Sequence, residues 1–427
     1  MHSKLRGTAI LAAVFSASLL AASAAVAVES DEVPASFVAT KKPHTTRGAS
    51  RSDGGGTNGR YSNNTLGVDS IPNFTGYFYE PGVTGQGYVQ FTWPYTMVGK
   101  APSPSNDSTT VIGAPIVPVI IDLRNSDGTP RYYPGPNGPV RMILDPTANI
   151  NTVLNSPSFS PASYGGKPAQ FTDALFKAQF KGLASSEWHT VLNASVKPAR
   201  TMVLIRGSYR FAVDAMGHLR YVLVDYGTFG NSLFPPGLGD TTTVLGQAET
   251  AGDVTTTDIA TFLFQDTYLY FNGDPTQCCV LGYHSYDLEQ GDASNNWRER
   301  RFVLNYSSFV SPGIFSGLQD ITVLTHELAE TFDDPFVGNS TPIWLAPNGN
   351  CQNNLETGDV IEGLPNSVLA VKSKGYTYHV QNEALLEWFA GATPQPSLNA
   401  AYSWPDPTVL PAPAQLVQLD CATPFVY

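Results

Sequence analysis

The sequence predicts an α+β fold, with a strand-rich amino-terminal portion packed against a carboxy-terminal portion built round one buried helix. Three observations carry this. Short apolar and β-branched runs separated by Gly, Pro, Asn and Ser recur between residues 67 and 270. Beyond 270 the pattern changes, and one long amphipathic segment stands out at 317–331. Charged residues make up only 14 % of the chain, while Gly, Pro, Ser, Thr and Asn are abundant, as in exported, strand-rich proteins with ordered loops.

At the start, Lys4 and Arg6 precede an apolar run from Ala9 to about Ala22, which closes on Ala25-Val26-Ala27. A short basic region, an apolar stretch and a small-x-small end are the marks of a cleavable secretory signal, residues 1–27. The run is Ala-rich and shorter than the roughly 20 residues that span a bilayer. The mature chain is therefore expected to be secreted or periplasmic and to have no membrane partner. The formal net charge is −12, and loss of Lys4 and Arg6 with the signal takes it two units lower, to −14. An acidic surface of this kind repels nucleic acid and anionic lipid, so neither is expected as a partner.

Residues 28–66 are polar, with Gly54-Gly55-Gly56 typical of them, and read as a flexible leader. The portion 67–270 follows. Val111–Ile121 is a β-branched run interrupted by Pro115 and Pro118, which suits an edge or bulged strand. Thr201–Ile205 and Tyr221–Val224 read as short strands, and Phe171, Ala174, Leu175 and Ala178 recur at helical spacing over 171–180. Residues 271–427 form the portion that carries chemistry. In it, Arg301–Tyr306 reads as a strand ahead of the helix at 317–331. Ser316 is the expected N-cap with Gln319 completing a capping box, and Asp334-Pro335 ends the helix. The four cysteines, Cys278, Cys279, Cys351 and Cys421, are expected in disulfides, as an even count in an exported chain suggests. A bond between neighbours is uncommon, so Cys278 and Cys279 are each expected to reach Cys351 or Cys421.

The helix contains Thr325-His326-Glu327-Leu328-Ala329-Glu330. His326 and Glu330 are four apart and share a face, while Ile321, Leu324, Leu328 and Phe332 would pin the opposite side to a core. This resembles the His-Glu-x-x-His helix of zinc peptidases, with Glu330 in place of the second histidine. The resemblance implies a Zn²⁺ ion on His326 and Glu330, with Glu327 as the base that takes a proton from water. A third donor is needed. Glu356 lies 26 residues beyond Glu330 in Leu355-Glu356-Thr357-Gly358-Asp359, and Asp359 and His284 are the other candidates. Carboxylate is a harder donor than imidazole, which leaves Ca²⁺ or no metal open beside zinc. Asp333-Asp334 suits a solvated helix end better than a glycosidase acid pair, whose members face each other across a sugar.

Taken in order, Gly282-Tyr283-His284-Ser285-Tyr286, the His-Glu-Leu-Ala-Glu helix, Asp334-Pro335 and Glu356-Thr357-Gly358-Asp359 resemble a broad group of exported bacterial proteins. The plant phosphate-induced (EXORDIUM-like) wall proteins are similar over the same stretch, about 271–390. The chain departs from the group's pattern at Thr357-Gly358, where an apolar-small pair is usual, and at Val360-Ile361, where a Cys often follows the Asp. The resemblance implies a zincin-like carboxy-terminal portion with a metal held by His326, Glu330, Glu356 and Asp359. The functional expectation is a secreted zinc-dependent hydrolase acting on a peptide or extracellular polymer. Its rival is a secreted binding or wall-associated protein in which the same helix is structural.

Overall fold

Strand Ile259–Gln265, almost wholly apolar, lies inside a sheet and pairs in parallel on both sides, with Thr109–Arg124 and with Glu299–Phe309. A strand flanked and covered on both faces has no use for polar alternation. In this computed structural model, which describes residues 31–39, 41–42, 68–84, 87–391 and 401–417, the strand belongs to an eight-stranded mixed sheet. Beyond Thr109–Arg124 run His189–Val196 and Arg200–Ile205, both parallel to it, and the short antiparallel Ile143–Leu144. Gly282–Glu289 is antiparallel to Glu299–Phe309. The sheet thus draws strands from both sides of residue 270, and Asp31–Tyr427 form one compact unit. The mixed α+β class expected from the sequence is what the structure has.

Side-chain alternation divides the core between the two sheet faces. On one face, Ile112, Ala114, Ile116, Leu263 and Val303 meet Ile321, Leu324, Leu328 and Phe332 of helix Thr322–Asp333. On the other, Val117, Val119, Phe262, Phe264 and Tyr306 meet Phe229 and Leu233 of helix Tyr226–Leu233 and Leu245 and Ala248 of helix Val244–Thr250. The expected helix at 171–180 forms as Phe171–Gln179 and packs by Phe176 against Phe332, ring centroids 5.2 Å apart.

Four expectations are corrected. The run containing Pro115 and Pro118 is a central strand, not an edge. Its partner on one side changes from His189–Val196 to Arg200–Ile205 between Ile116 and Val119, so Pro118 falls at the changeover, where no donor is required. The buried helix begins at Thr322 rather than 317: Gly317 and Asp320 take φ of 84° and 48°, and Asp320 bridges Val310, so Ser316 and Gln319 belong to a turn tied to the preceding strand. Cys278 and Cys279 are bonded to each other across a cis peptide that brings their Cα atoms to 3.0 Å, and Cys351 is also disulfide-bonded. Asp333 and Asp334 are fully buried instead of solvated, because the loop after the helix folds back over them. Gly338 and Asn339 donate their backbone N–H groups to Asp334 at 2.8 and 3.0 Å, and the Asn339 side chain donates to the Asp333 carbonyl at 2.6 Å.

Within the stretch read as a flexible leader, residues 31–39 are anchored at two points: Val38 is buried, and the buried Asp31 accepts from Arg131 at 2.9 Å and pairs with Arg206 at 2.6 Å. The expected signal peptide and the rest of the leader lie outside the described residues. Among the described residues no helix is long and apolar enough to cross a membrane.

Candidate metal centre

Helix Thr322–Asp333 supplies the middle of the site. Glu327, Glu330 and Asp334 follow one another at three- and four-residue spacing and so form a polar stripe, with His326 beside it, opposite the apolar stripe that meets the sheet. Every residue of the helix is buried. Three other segments converge on the stripe. The Gly282–Glu289 strand brings His284 on the face toward the helix. The 355–362 loop brings Glu356 and Asp359. The hairpin Val368–Ser373/Tyr376–Gln381 brings Gln381. The hairpin is fixed to the helix start, where the His379 N–H donates to Asp320 Oδ1 at 3.0 Å and its Nδ1 sits 2.6 Å from Oδ2.

Glu330 is the centre of the arrangement. Its Oε1 accepts the backbone N–H groups of Gly358 and Asp359 at 3.0 and 3.3 Å, which ties the loop to the helix. Its Oε2 lies between two imidazoles, 3.1 Å from His326 Nε2 and 3.4 Å from His284 Nδ1. His284 Nδ1 is also 3.7 Å from Glu327 Oε2 and 3.9 Å from Glu356 Oε2, and His326 Nε2 is 3.7 Å from Asp359 Oδ1. Three overlapping sets, His284/Glu327/Glu330, His284/Asp334/Glu356 and His326/Glu330/Asp359, each bring donor atoms within 4.8 Å of one another. Of the three candidate third donors, Asp359 joins His326 and Glu330 in one set, His284 shares another with Glu330, and Glu356 falls with His284 and Asp334 in a third.

Two glycines allow this closeness. A Cβ on Gly282 would stand 2.6 Å from Glu327 Oε1, and one on Gly358 would stand 2.4 Å from His326 Nδ1. At Gly358 only a residue without a side chain lets the loop lie this close to the imidazole. Gln381 completes the clasp. Its Nε2 donates to the Gly358 carbonyl at 2.9 Å and faces His326 Nδ1 at 2.8 Å. With the amide in this orientation its nitrogen can only donate, so Nδ1 accepts in the neutral ring, whose Nε2 faces Glu330. An ion on Nε2 requires the amide turned over, with its oxygen accepting from Nδ1–H.

The electrostatics are those of buried acids around two imidazoles. Burial pushes Glu327 up to about 7 despite the opposing pull of His284 and His326. Burial would also raise Glu330, but the two imidazoles hold it well below the usual carboxylate range. Burial would lower His284, yet Glu356, Glu327 and Glu330 hold it well above its ordinary value. Both oxygens of Glu327 and both ring nitrogens of His284 are shut off from water without a hydrogen bond. Orphaned buried polar atoms at this density are costly unless something fills the space between them. Nitrogen and carboxylate oxygen donors suit a divalent cation, so the residues present fit a metal ion, and its identity stays open between the metals that accept such a mixed set.

Gln381, Glu362 and Glu383 were not anticipated. Burial raises both Glu383 and Glu362 well above the usual range, and both feel the charges of His326 and Glu330. They come from a turn and a hairpin end with no spacing relation to the helix, and no motif marks them. No family model matches the chain, and no curated protein or solved structure matches it.

Proposed function

We propose that the protein is a secreted metal-dependent hydrolase. His326, Glu330 and Asp359 hold the ion, His284 and Glu356 lie beside them, and Glu327 takes the proton from the attacking water. The observation that supports this best is the meeting of two imidazoles, His326 of the helix and His284 of the strand, at Glu330 Oε2, with the polar atoms of His284 and Glu327 left without a hydrogen bond. A divalent ion there would polarise the bond under attack and make water more acidic. Glu327, pushed up to about 7 by burial, suits a group that accepts a proton near neutrality and passes it on. The likeness of the helix to that of zinc peptidases, and its packing on a mixed sheet, favour zinc, a zincin-like arrangement and the peptide bond as target. The apolar run and small-x-small end at 9–27 favour an extracellular place of work.

One observation favours the rival reading of a wall-associated or binding protein in which the helix, with or without an ion, is structural. All six of these side chains are buried, with Asp359 the most exposed at 3 %. Closed coordination is the habit of structural sites. Metal analysis of the purified protein beside His326→Ala and Glu327→Gln, with a peptide-hydrolysis assay, separates the readings. The hydrolase gives stoichiometric zinc lost in His326→Ala, and Glu327→Gln that keeps its metal and loses turnover. Metal retained with no hydrolysis by the wild type supports the structural reading. A wild type that folds without metal and takes up none from added zinc refutes the hydrolase and supports the rival, in which the helix is structural.

A further inference from the structure

The Gly282–Glu289 strand has a second polar face. His284 points to the helix Thr322–Asp333, so by alternation Asp287 and Glu289 point to the other side of the sheet. There they meet Glu249 of helix Val244–Thr250, and the three carboxylates place one oxygen each within 4.8 Å of the others. Asp287 and Glu289 are 3 % and 5 % exposed. Glu289 Oε2 and Glu249 Oε1 are shut off from water with no hydrogen-bond donor in reach. The cross-strand partner of Glu289 is a cation, Arg300. Its guanidinium is engaged elsewhere, by Asp292 at 3.0 Å, the Ser294 hydroxyl at 3.1 Å and the Gln290 carbonyl at 3.2 Å.

From this placement we infer that Glu249, Asp287 and Glu289 form a second cation site, separate from the histidine centre and built for calcium. The donors are all carboxylate oxygen, with no nitrogen or sulfur. Hard cations prefer that set, and Ca²⁺ takes six to eight oxygens, which three carboxylates and a few waters supply. An orphaned oxygen on a residue as buried as Glu289, grouped with two further carboxylates, is what a missing counter-charge leaves behind. Burial and the neighbouring acids also raise Glu249 to about 9 and Glu289 to about 7, in keeping with an excess of negative charge at this point. The inference does not depend on the hydrolase reading, because the two sites lie on opposite faces of the strand and differ in donor chemistry.

The probe is CaCl₂ added to chelator-stripped protein, read by calorimetric titration and by thermal unfolding. The wild type is expected to bind Ca²⁺ with a dissociation constant on the order of 10⁻⁴–10⁻³ M, as extracellular sites do, and to unfold at higher temperature as Ca²⁺ is added. Asp287→Asn/Glu289→Gln is expected to lose the calcium-dependent rise while unfolding no earlier than the calcium-free wild type, since neutral amides remove the repulsion. His326→Ala is expected to keep the rise. Should the double variant fail to fold, Glu249→Gln, on the more exposed partner, carries the same test and is expected to weaken binding at least about tenfold. A wild type indifferent to millimolar Ca²⁺, or a rise that survives in both carboxylate variants, overturns the inference. A rise lost in His326→Ala would place the calcium at the other centre and also overturn it.

Discussion

Gly358→Ala tests the packing on which the candidate metal centre depends. The new methyl carbon would stand 2.4, 2.5 and 2.8 Å from His326 Nδ1, Cε1 and Cγ, where contacts near 3.5 Å are ordinary. Ring and loop must therefore part by about 1 Å. The ring is held by Gln381 at 2.8 Å and by Glu330 at 3.1 Å. Nor can the loop retreat freely. The Gly358 N–H donates to Glu330 at 3.0 Å, and its carbonyl accepts from Ile361, Glu362 and Gln381 at 3.0, 3.1 and 2.9 Å. Overpacking costs about 1–3 kcal/mol, and loss of a hydrogen bond to a buried charge about 1.5–3 kcal/mol. The expected destabilisation is about 3–5 kcal/mol, a fall in Tm of about 5–10 °C. Metal content should fall with it, because the shift opens the His326–Glu330 pair. Gly166→Ala, where a Cβ meets nothing within 4 Å, is the control and should change neither quantity. Urea unfolding and metal analysis on the three proteins decide the matter. If Gly358→Ala keeps full metal and lies within about 0.5 kcal/mol of wild type, the close approach is not a constraint and the geometry of the clasp is wrong.

Other perturbations have equally definite outcomes. Glu387 has Oε2 buried without a donor, and burial lifts it from 4.5 to about 7. The folded state therefore favours the protonated acid, so its contribution is fully present below about pH 4.5 and is lost as pH rises through 7. Glu387→Gln should be more stable than wild type by up to about 3 kcal/mol at pH 8 and no different at pH 4, as a pH series of unfolding curves will show. Asp334→Ala strands the Gly338 and Asn339 N–H groups and should cost about 2–4 kcal/mol by the same urea measurement, with Asp334→Asn costing less because one acceptor remains. Stripping the metal with a chelator should lower Tm reversibly, and restoring the ion at about 100 times its dissociation constant should return about 2.7 kcal/mol. A Tm that ignores both treatments counts against any bound ion.

The helix could be read from the sequence because its two stripes obey one period. Ile321, Leu324, Leu328 and Phe332 face the sheet, and Glu327, Glu330 and Asp334 face inward among the other acids. Its end could be read too, since Asp334-Pro335 cannot continue a helix. Its start could not. Ser316 and Gln319 imitate a capping box, and only the long-range bridge between Val310 and Asp320 shows that the segment serves the strand before it. The same limit governs the strand at Thr109–Arg124, where Pro118 is harmless because of a change of neighbour that no local pattern records. The donors were identifiable one segment at a time, but their meeting point was not, because it is set by where the sheet edge, the loop and the hairpin cross the helix. Gln381, Glu362 and Glu383 are the extreme case, ordinary polar residues made important only by that crossing. Gly358 was the one visible trace of the crossing. A Cβ at this position would stand 2.4 Å from an imidazole nitrogen, which makes Gly358 the residue on which the approach of loop to helix depends.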